Sequence, residues 1–388
     1  MEIRLADRLK KINPSATLAI TSKAKKLKAE GKDIINFGAG EPDFDTPDFI
    51  KDAAVAAIKS GFTKYTPTTG TPELKKAICD KFRKDNSLEY APNQIVVSCG
   101  AKHSIFNVVM ALVDPGDEVI IPMPYWVSYP EMVNLAKGCP RFIKTRPENN
   151  FKFSAKDLEE NISSKTKLLL LNSPSNPTGC VYSRKELEEI ASVCVKNKIF
   201  VLSDEIYEKL IYDSEKHVSI ASLDKDIYNL AITVNGLSKS YSMTGWRIGY
   251  FGAPVEIAEG VSRLQDHSTS NPASISQAAA IAALSAQNEF CDKVREEFQK
   301  RRDYCISRFK KIEKIKAVVP KGAFYIFLDI SKTRLDSATF ANRILEDKFV
   351  SLIPGAGFGM DEFVRISFAT SMEQLQKGID RIEEWVKQ

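Results

Sequence analysis

The sequence predicts an α/β protein, with a mostly parallel sheet in a large domain and a smaller α+β domain beside it. Three observations carry this. The chain has 388 residues, more than one hydrophobic core usually fills, so two domains are expected. Its middle alternates short apolar runs with amphipathic stretches, as buried parallel strands separated by covering helices do. Its last third changes to a long charged helical stretch with scattered strands.

In chain order, Leu5, Leu9 and Ile12 sit at helical spacing among charges, as in an N-terminal arm. The Pro/Gly-rich segment 37–47 is expected to link that arm to the large domain. Strands are predicted at 95–97, 118–121, 168–171, 199–202 and 230–234. Helices are predicted at 101–113, where Ile105, Val108, Val109 and Leu112 share a face, and at 184–197. Later come a long helix over 286–314, a strand over 323–328, a helix over 338–347, a strand over 363–368 and a closing helix from Met372. The expected division is an arm with part of the small domain at 1–47, the large domain at 48–285 and the small domain at 286–388.

Composition narrows the function. At 43% hydrophobic and 27% charged, the chain can bury a large core. Lys+Arg 55 against Asp+Glu 50 leaves +5, too little to point to nucleic acid. The seven cysteines are scattered without a CxxC pair, so neither a zinc site nor a disulfide framework is expected. Free thiols, no apolar leader and no apolar run of membrane-spanning length suit a cytoplasmic enzyme with no membrane partner.

Ligands of open α/β sheets bind at the carboxyl ends of strands. Five predicted strand ends carry chemistry here. They lead into Ser98-Cys-Gly-Ala-Lys102, Pro124-Tyr-Trp126, Asn172-Ser-Pro-Ser-Asn176-Pro-Thr-Gly179, Ser203-Asp204-Glu-Ile-Tyr207 and Asn235-Gly-Leu-Ser238-Lys239. Lys239 is the most telling. Between Lys225 and Arg263 the only cations are Lys239 and Arg247, both in an apolar, Ser/Gly/aromatic stretch. Lost solvation lowers a lysine pKa, and a neutral amine is what Schiff-base chemistry with an aldehyde requires.

The other residues have plainer readings beside the functional ones. Asp204, at the end of a buried strand, needs a cation, or it caps a helix. Tyr207 could pack in a core, and Asn176 could serve only a turn. Gly100–Lys102 opens a helix whose free N–H groups can bind phosphate, completed by Ser238 and Arg247. Arg365, in an apolar strand, is either half of an internal salt bridge or a clamp on a substrate carboxylate. His103, His217 and His267 form no triad or metal spacing and receive no role. No dinucleotide fingerprint or P-loop is present.

Taken together, Ser238-Lys239-Ser-Tyr-Ser-Met-Thr-Gly-Trp-Arg247, Asn176-Pro-Thr-Gly, Ser203-Asp204-Glu-Ile-Tyr207, Gly40-Glu-Pro-Asp-Phe44, Lys64-Tyr65-Thr-Pro and Arg365 resemble the motifs of class I aminotransferases. These enzymes have fold type I and depend on pyridoxal 5′-phosphate. The resemblance runs from about Ala6 to the end. It implies that Lys239 holds the cofactor and shuttles the substrate's Cα proton. It further implies that Asp204 pairs the ring nitrogen, and that Tyr207 and Asn176 reach the ring oxygen. Gly100, Ala101, Ser238 and Arg247 would bind phosphate, with Lys102 beside them, and Trp126 would stack on the ring. Arg365 would clamp the substrate α-carboxylate, aided by Gly40 and Asn176. The family is dimeric, so Tyr65 would reach the neighbouring subunit's phosphate and the arm with Leu5 and Leu9 would cross to the partner.

Ile12-Asn-Pro-Ser-Ala-Thr17 and Gly100-Ala-Lys102-His look like the bacterial subgroup of aspartate aminotransferases, in which Thr17 and Lys102 would read the distal carboxylate. Lys102 as a plain exposed helix lysine is the alternative. The same pair resembles prephenate aminotransferases. The expectation is therefore ping-pong transfer from aspartate to 2-oxoglutarate. Prephenate, glutamate or aromatic substrates of the same subgroup, or a C–S lyase on the same fold, are the alternatives. A fold-type-I regulatory protein without catalysis would carry an added DNA-binding domain, for which there is no room before Ala6.

Overall fold

The computed structural model describes residues 5–12, 16–287 and 289–388, and only the backbone of Lys11 and of residues 16–19. A seven-stranded sheet forms its centre. In spatial order the strands are Ile95–Ser98, Gly249–Gly252, Ala231–Gly236, Phe200–Asp204, Thr166–Asn172, Glu118–Met123 and Cys139–Lys144. Only Gly249–Gly252 runs against its neighbours; the other adjacent pairs are parallel. The α/β expectation holds, and the five predicted strands lie in this one sheet.

Local chemistry explains the covering helices. Arg184–Asn197 begins at Ser183, whose side chain accepts from the Glu186 N–H while Glu186 reaches back, a reciprocal cap. It ends at Lys198 in the left-handed conformation. Its Leu187, Ile190, Ala191 and Cys194 pack under the sheet with Leu169, Leu171 and Val201. Ala101–Leu112 lays Ile105, Val108 and Val109 on the other face, against Val96, Leu202 and Phe251. Each such aliphatic burial stabilises by about 1.5–3 kcal/mol.

A second, antiparallel sheet orders Ile353–Pro354, Phe363–Ser367, Tyr325–Asp329 and Lys316–Ala317. Its core holds Phe298, Phe324, Phe327 and Phe358. The early chain joins this core. Ile35–Asn36 pairs in parallel with Val350–Ser351, and Ile35 and Phe37 are buried there. The long helix predicted over 286–314 is shorter: Glu289–Phe309 follows a separate helix, Ser274–Ser285. Charged spacing continues past Phe309, but the chain turns where Ile312 and Ile315 dive into the core. No described helix is long and apolar enough to cross a membrane.

Candidate active site

A cavity of about 940 Å³ opens at the carboxyl ends of the large sheet. Adjacent strands deliver its chemistry. Asn172 lies in register with Asp204, and Asp204 with Val234, two residues before the strand end from which Lys239 follows.

Lys239 Nζ donates to the Gly40 carbonyl at 2.5 Å. Burial lowers its pKa to about 8; Glu41 opposes the shift, while Arg365 and Arg247 add to it. An appreciable fraction of the amine is then neutral near physiological pH. Asp204 is 5% exposed and followed by a turn rather than a helix. Its Oδ2 accepts from the Tyr129 hydroxyl at 2.7 Å and its Oδ1 from the Ile206 N–H at 3.3 Å. Burial still raises its carboxyl to about 6, since these bonds and the charge of Lys239 only partly oppose it and no cation pairs with it directly. The helix-cap reading thus fails, and the need for a positive charge stands.

Arg365 is buried at 3% exposure. Its Nη1 donates to Asn176 Oδ1 and its Nη2 to the Gly38 carbonyl, both at 3.0 Å. Its plane lies over the Tyr325 ring at 4.3 Å. Among the described residues no carboxylate pairs with it, so the internal salt bridge is not found, and its Nε lacks a partner. The Tyr325 hydroxyl lies 3.0 Å from that of Tyr207, which burial keeps protonated. Asn176 is held by its own N–H to Asn172 Oδ1 at 2.9 Å.

The anion cradle forms where the strand Ile95–Ser98 turns into Ala101–Leu112. Gly100 has φ +91, and a Cβ there would meet Arg247 Nη2 at 2.4 Å. A Cβ on Gly249 would lie 2.0 Å from the Ala101 nitrogen. Two glycines therefore let the guanidinium and a neighbouring strand close on the helix start. Arg247 Nη1 donates to the Thr244 carbonyl at 2.7 Å and its Nη2 to that of Cys99 at 3.3 Å. Ala101 and Ser238 line the same cavity. Trp126 lines it too, edge-on to Tyr129 at 5.3 Å. The Lys102 ammonium stands 4.8 Å over the Trp126 ring, its pKa lowered by burial and then by Arg247. Although exposed, Lys102 faces the cavity.

The cavity thus brings together Lys239, Asp204, Tyr207, Asn176, Arg365 and Arg247, along with Gly40, Ala101, Lys102, Trp126 and Ser238. Gly100 stands directly behind Arg247. Tyr65 is not among these residues; it is 92% exposed. Thr17 lies in the helix Ala16–Ala29, and its side chain falls outside the described residues. The turn Asp7–Lys11 lies along the helix Ser128–Leu135 of its own chain, with Leu5 and Leu9 exposed. Tyr129, Tyr325 and Gly38 also join this arrangement, although no sequence motif announces them. Tyr129 carried a signal, three residues past Trp126, since a buried phenol must find a partner.

Known proteins resemble this chain over nearly its whole length. A model of the family "Aminotransferase class I and II" matches residues 32–382. An aspartate aminotransferase of Bacillus sp. (strain YM-2) is 48% identical over 392 residues, covering 100% of both chains. A probable aspartate/prephenate aminotransferase of Aquifex aeolicus (strain VF5) is 46% identical, covering 98% of each. The solved structure of an aspartate aminotransferase from Thermus thermophilus with maleate superposes with a TM-score of 0.95 at 40% identity, covering 99% of this chain and 100% of that one. With its fold, its strand-end lysine and its full-length relatives in agreement, this chain belongs to the class I and II aminotransferases.

Proposed function

We propose that the protein transfers the amino group of aspartate to 2-oxoglutarate by a ping-pong mechanism, with pyridoxal 5′-phosphate bound in the cavity. One observation carries the reading. A lysine amine of lowered pKa, a buried carboxylate without an ion-pair partner and a buried guanidinium without a carboxylate line one cavity. The donor set fits this cofactor: an amine for an aldehyde, a carboxylate for a ring nitrogen, and an Arg247–Gly100 cradle for a phosphate.

When bound, the cofactor supplies an electron sink that lets the substrate's Cα–H bond ionise. Lys239 Nζ, once neutral, takes the Cα proton and returns it. Asp204 supplies the negative charge that keeps the ring nitrogen protonated, and Tyr129 orients that carboxylate. Tyr207 and Asn176 offer hydrogen-bonding groups to the ring oxygen. Ser238, Arg247 and the first turn after Gly100 hold the phosphate. Trp126 excludes water from one ring face. Arg365, oriented by Asn176 and Gly38, clamps the α-carboxylate in bidentate fashion. Gly40 accepts Lys239 in this state and lies near the same clamp. Lys102, with Thr17, reads the distal carboxylate; the maleate in the Thermus thermophilus structure is likewise a four-carbon dicarboxylate.

The working unit in this proposal is a homodimer. Phe49, Val55 and Ile58 on the helix Asp48–Lys59, followed by Phe62 and Tyr65, are all exposed, an apolar run suited to cover by a second copy. Tyr65 would then serve the partner's phosphate. The seven cysteines are all free, which suits a reducing cytoplasm.

A second reading has its own support. Relatives 46–48% identical are named aspartate/prephenate aminotransferases, and the cavity continues past Trp126 to Pro140 and Phe142. A spectral scan of half-reactions decides between them. The purified enzyme is mixed with aspartate, glutamate, alanine, phenylalanine and cystathionine, then with oxaloacetate, 2-oxoglutarate and prephenate. Aspartate and 2-oxoglutarate should exchange the cofactor's absorbance bands fastest. Pyruvate and ammonia from cystathionine without an acceptor would replace this reading with a C–S lyase.

A further inference from the structure

His103 has no part in the residue set assigned so far. It is the third residue of the helix Ala101–Leu112, in the first turn. Its Nδ1 accepts the backbone N–H of Cys99 at 3.2 Å. The carbonyl of the same Cys99 accepts Arg247 Nη2 at 3.3 Å. Cys99 is therefore gripped from two sides, its amide by an imidazole and its carbonyl by the guanidinium of the cradle. The adjoining Gly100 N–H turns back to the Ser98 carbonyl at 2.7 Å.

Only an unprotonated Nδ1 can accept an N–H, so the ring proton belongs on Nε2. The location enforces this. The first turn is the positive end of the helix dipole, where a cation is disfavoured. Burial lowers the pKa of the ring in the same sense.

We infer that His103 is a positioning residue for the anion cradle: by accepting the Cys99 N–H it fixes one side of the residue whose carbonyl, on the other side, holds Arg247 against Gly100. The inference rests on the reading of that cradle as the seat of the cofactor's phosphate. The ring acts at a distance, through the backbone of Cys99, so its effect falls on phosphate recognition and spares the contacts of Lys239 and Asp204.

The test compares dissociation constants of pyridoxal phosphate and of pyridoxal, which lacks the phosphate, for the cofactor-free full-length protein. Three forms are measured: wild type, His103→Leu and His103→Asn. Leucine fills the space without an acceptor, and asparagine returns an oxygen near the Nδ1 position. The expected result is that His103→Leu binds pyridoxal phosphate about tenfold more weakly while pyridoxal binding changes by less than about twofold. His103→Asn should recover most of the loss. Equal weakening of both ligands, or no weakening of either, overturns the inference. A wild type with no preference for the phosphate ester would overturn the cradle itself, a failure visible before any variant is compared.

Discussion

Asp204 and Glu205 are neighbours in the chain, yet they enter two opposite kinds of buried polar cluster. Asp204 faces the cavity with Lys239 and Arg365. Glu205 turns away, accepting from Ser203 Oγ and Ser219 Oγ at 2.8 Å each and pairing with His217 Nε2 at 2.8 Å. Asn86 bridges Glu205 to Glu208, which is paired with Lys81, and Lys209 meets Asp85 at 2.9 Å. On this side every charge has a counter-charge. Burial alone would raise the Glu208 carboxyl, but Lys81, His217 and Lys209 outweigh it and hold it at about 2. Burial also works against the His217 imidazolium, yet Glu205 and Glu208 raise its pKa. Glu205, Glu208 and His217 bring ligand atoms within 4.8 Å of one another, but the Lys81 ammonium already pairs with Glu208 and His217 with Glu205. On the cavity side the shifts run the other way. The amine is pushed down and the carboxyl up, each toward neutrality, because burial outweighs the opposing interactions and neither forms an ion pair. The cluster of paired charges is suited to a scaffold; the cluster of unpaired ones is suited to binding a charged ligand.

That contrast can be broken experimentally. The largest effect is expected from Lys239→Ala. Turnover should fall by about 10⁴-fold or more, with loss of the cofactor's lysine-dependent absorbance and little change in melting temperature. Lys81→Met should do the reverse. It strands Glu208 without its cation and should cost about 3–5 kcal/mol in denaturant unfolding while leaving the cofactor spectrum intact. A Lys81 variant of full stability but altered spectrum would erase the distinction between the two clusters.

Smaller effects sharpen the cavity side. Lys102→Ala should lower kcat/KM for aspartate by about tenfold relative to alanine or phenylalanine. An unchanged preference would remove Lys102 as the distal carboxylate reader. The pH dependence of cofactor capture has a definite sign. The folded-state pKa of Lys239 lies below its ordinary 10.5, at about 8. The neutral, reactive amine therefore grows as pH rises through about 8, and capture of pyridoxal phosphate by the cofactor-free protein should speed up there and level off above. A rate still climbing near pH 10 would mark an ordinary lysine.

The fold class was legible because strand and helix periods alternate cleanly between 95 and 252. Lys239, Asp204 and Asn176 were legible because each follows an apolar run, and strand ends are where open sheets bind ligands. Their partners were not. Tyr129 reaches Asp204 across 75 residues, and Arg365 reaches Gly38 across 327, by virtue of how a helix and the early chain pack. No local pattern encodes such distances. The Glu205–His217–Lys81 cluster escaped for the same reason: scattered charges read as surface until packing buries them. The predicted helix over 286–314 overran because charge spacing continues after the apolar face has changed.

The most direct measurement fixes the cofactor to its amine. The enzyme loaded with pyridoxal phosphate is reduced with borohydride and digested, and the phosphopyridoxyl-bearing residue is identified by mass spectrometry. The account predicts Lys239 alone. Label on another lysine with Lys239 unmodified, or none at all in an active preparation, would contradict it.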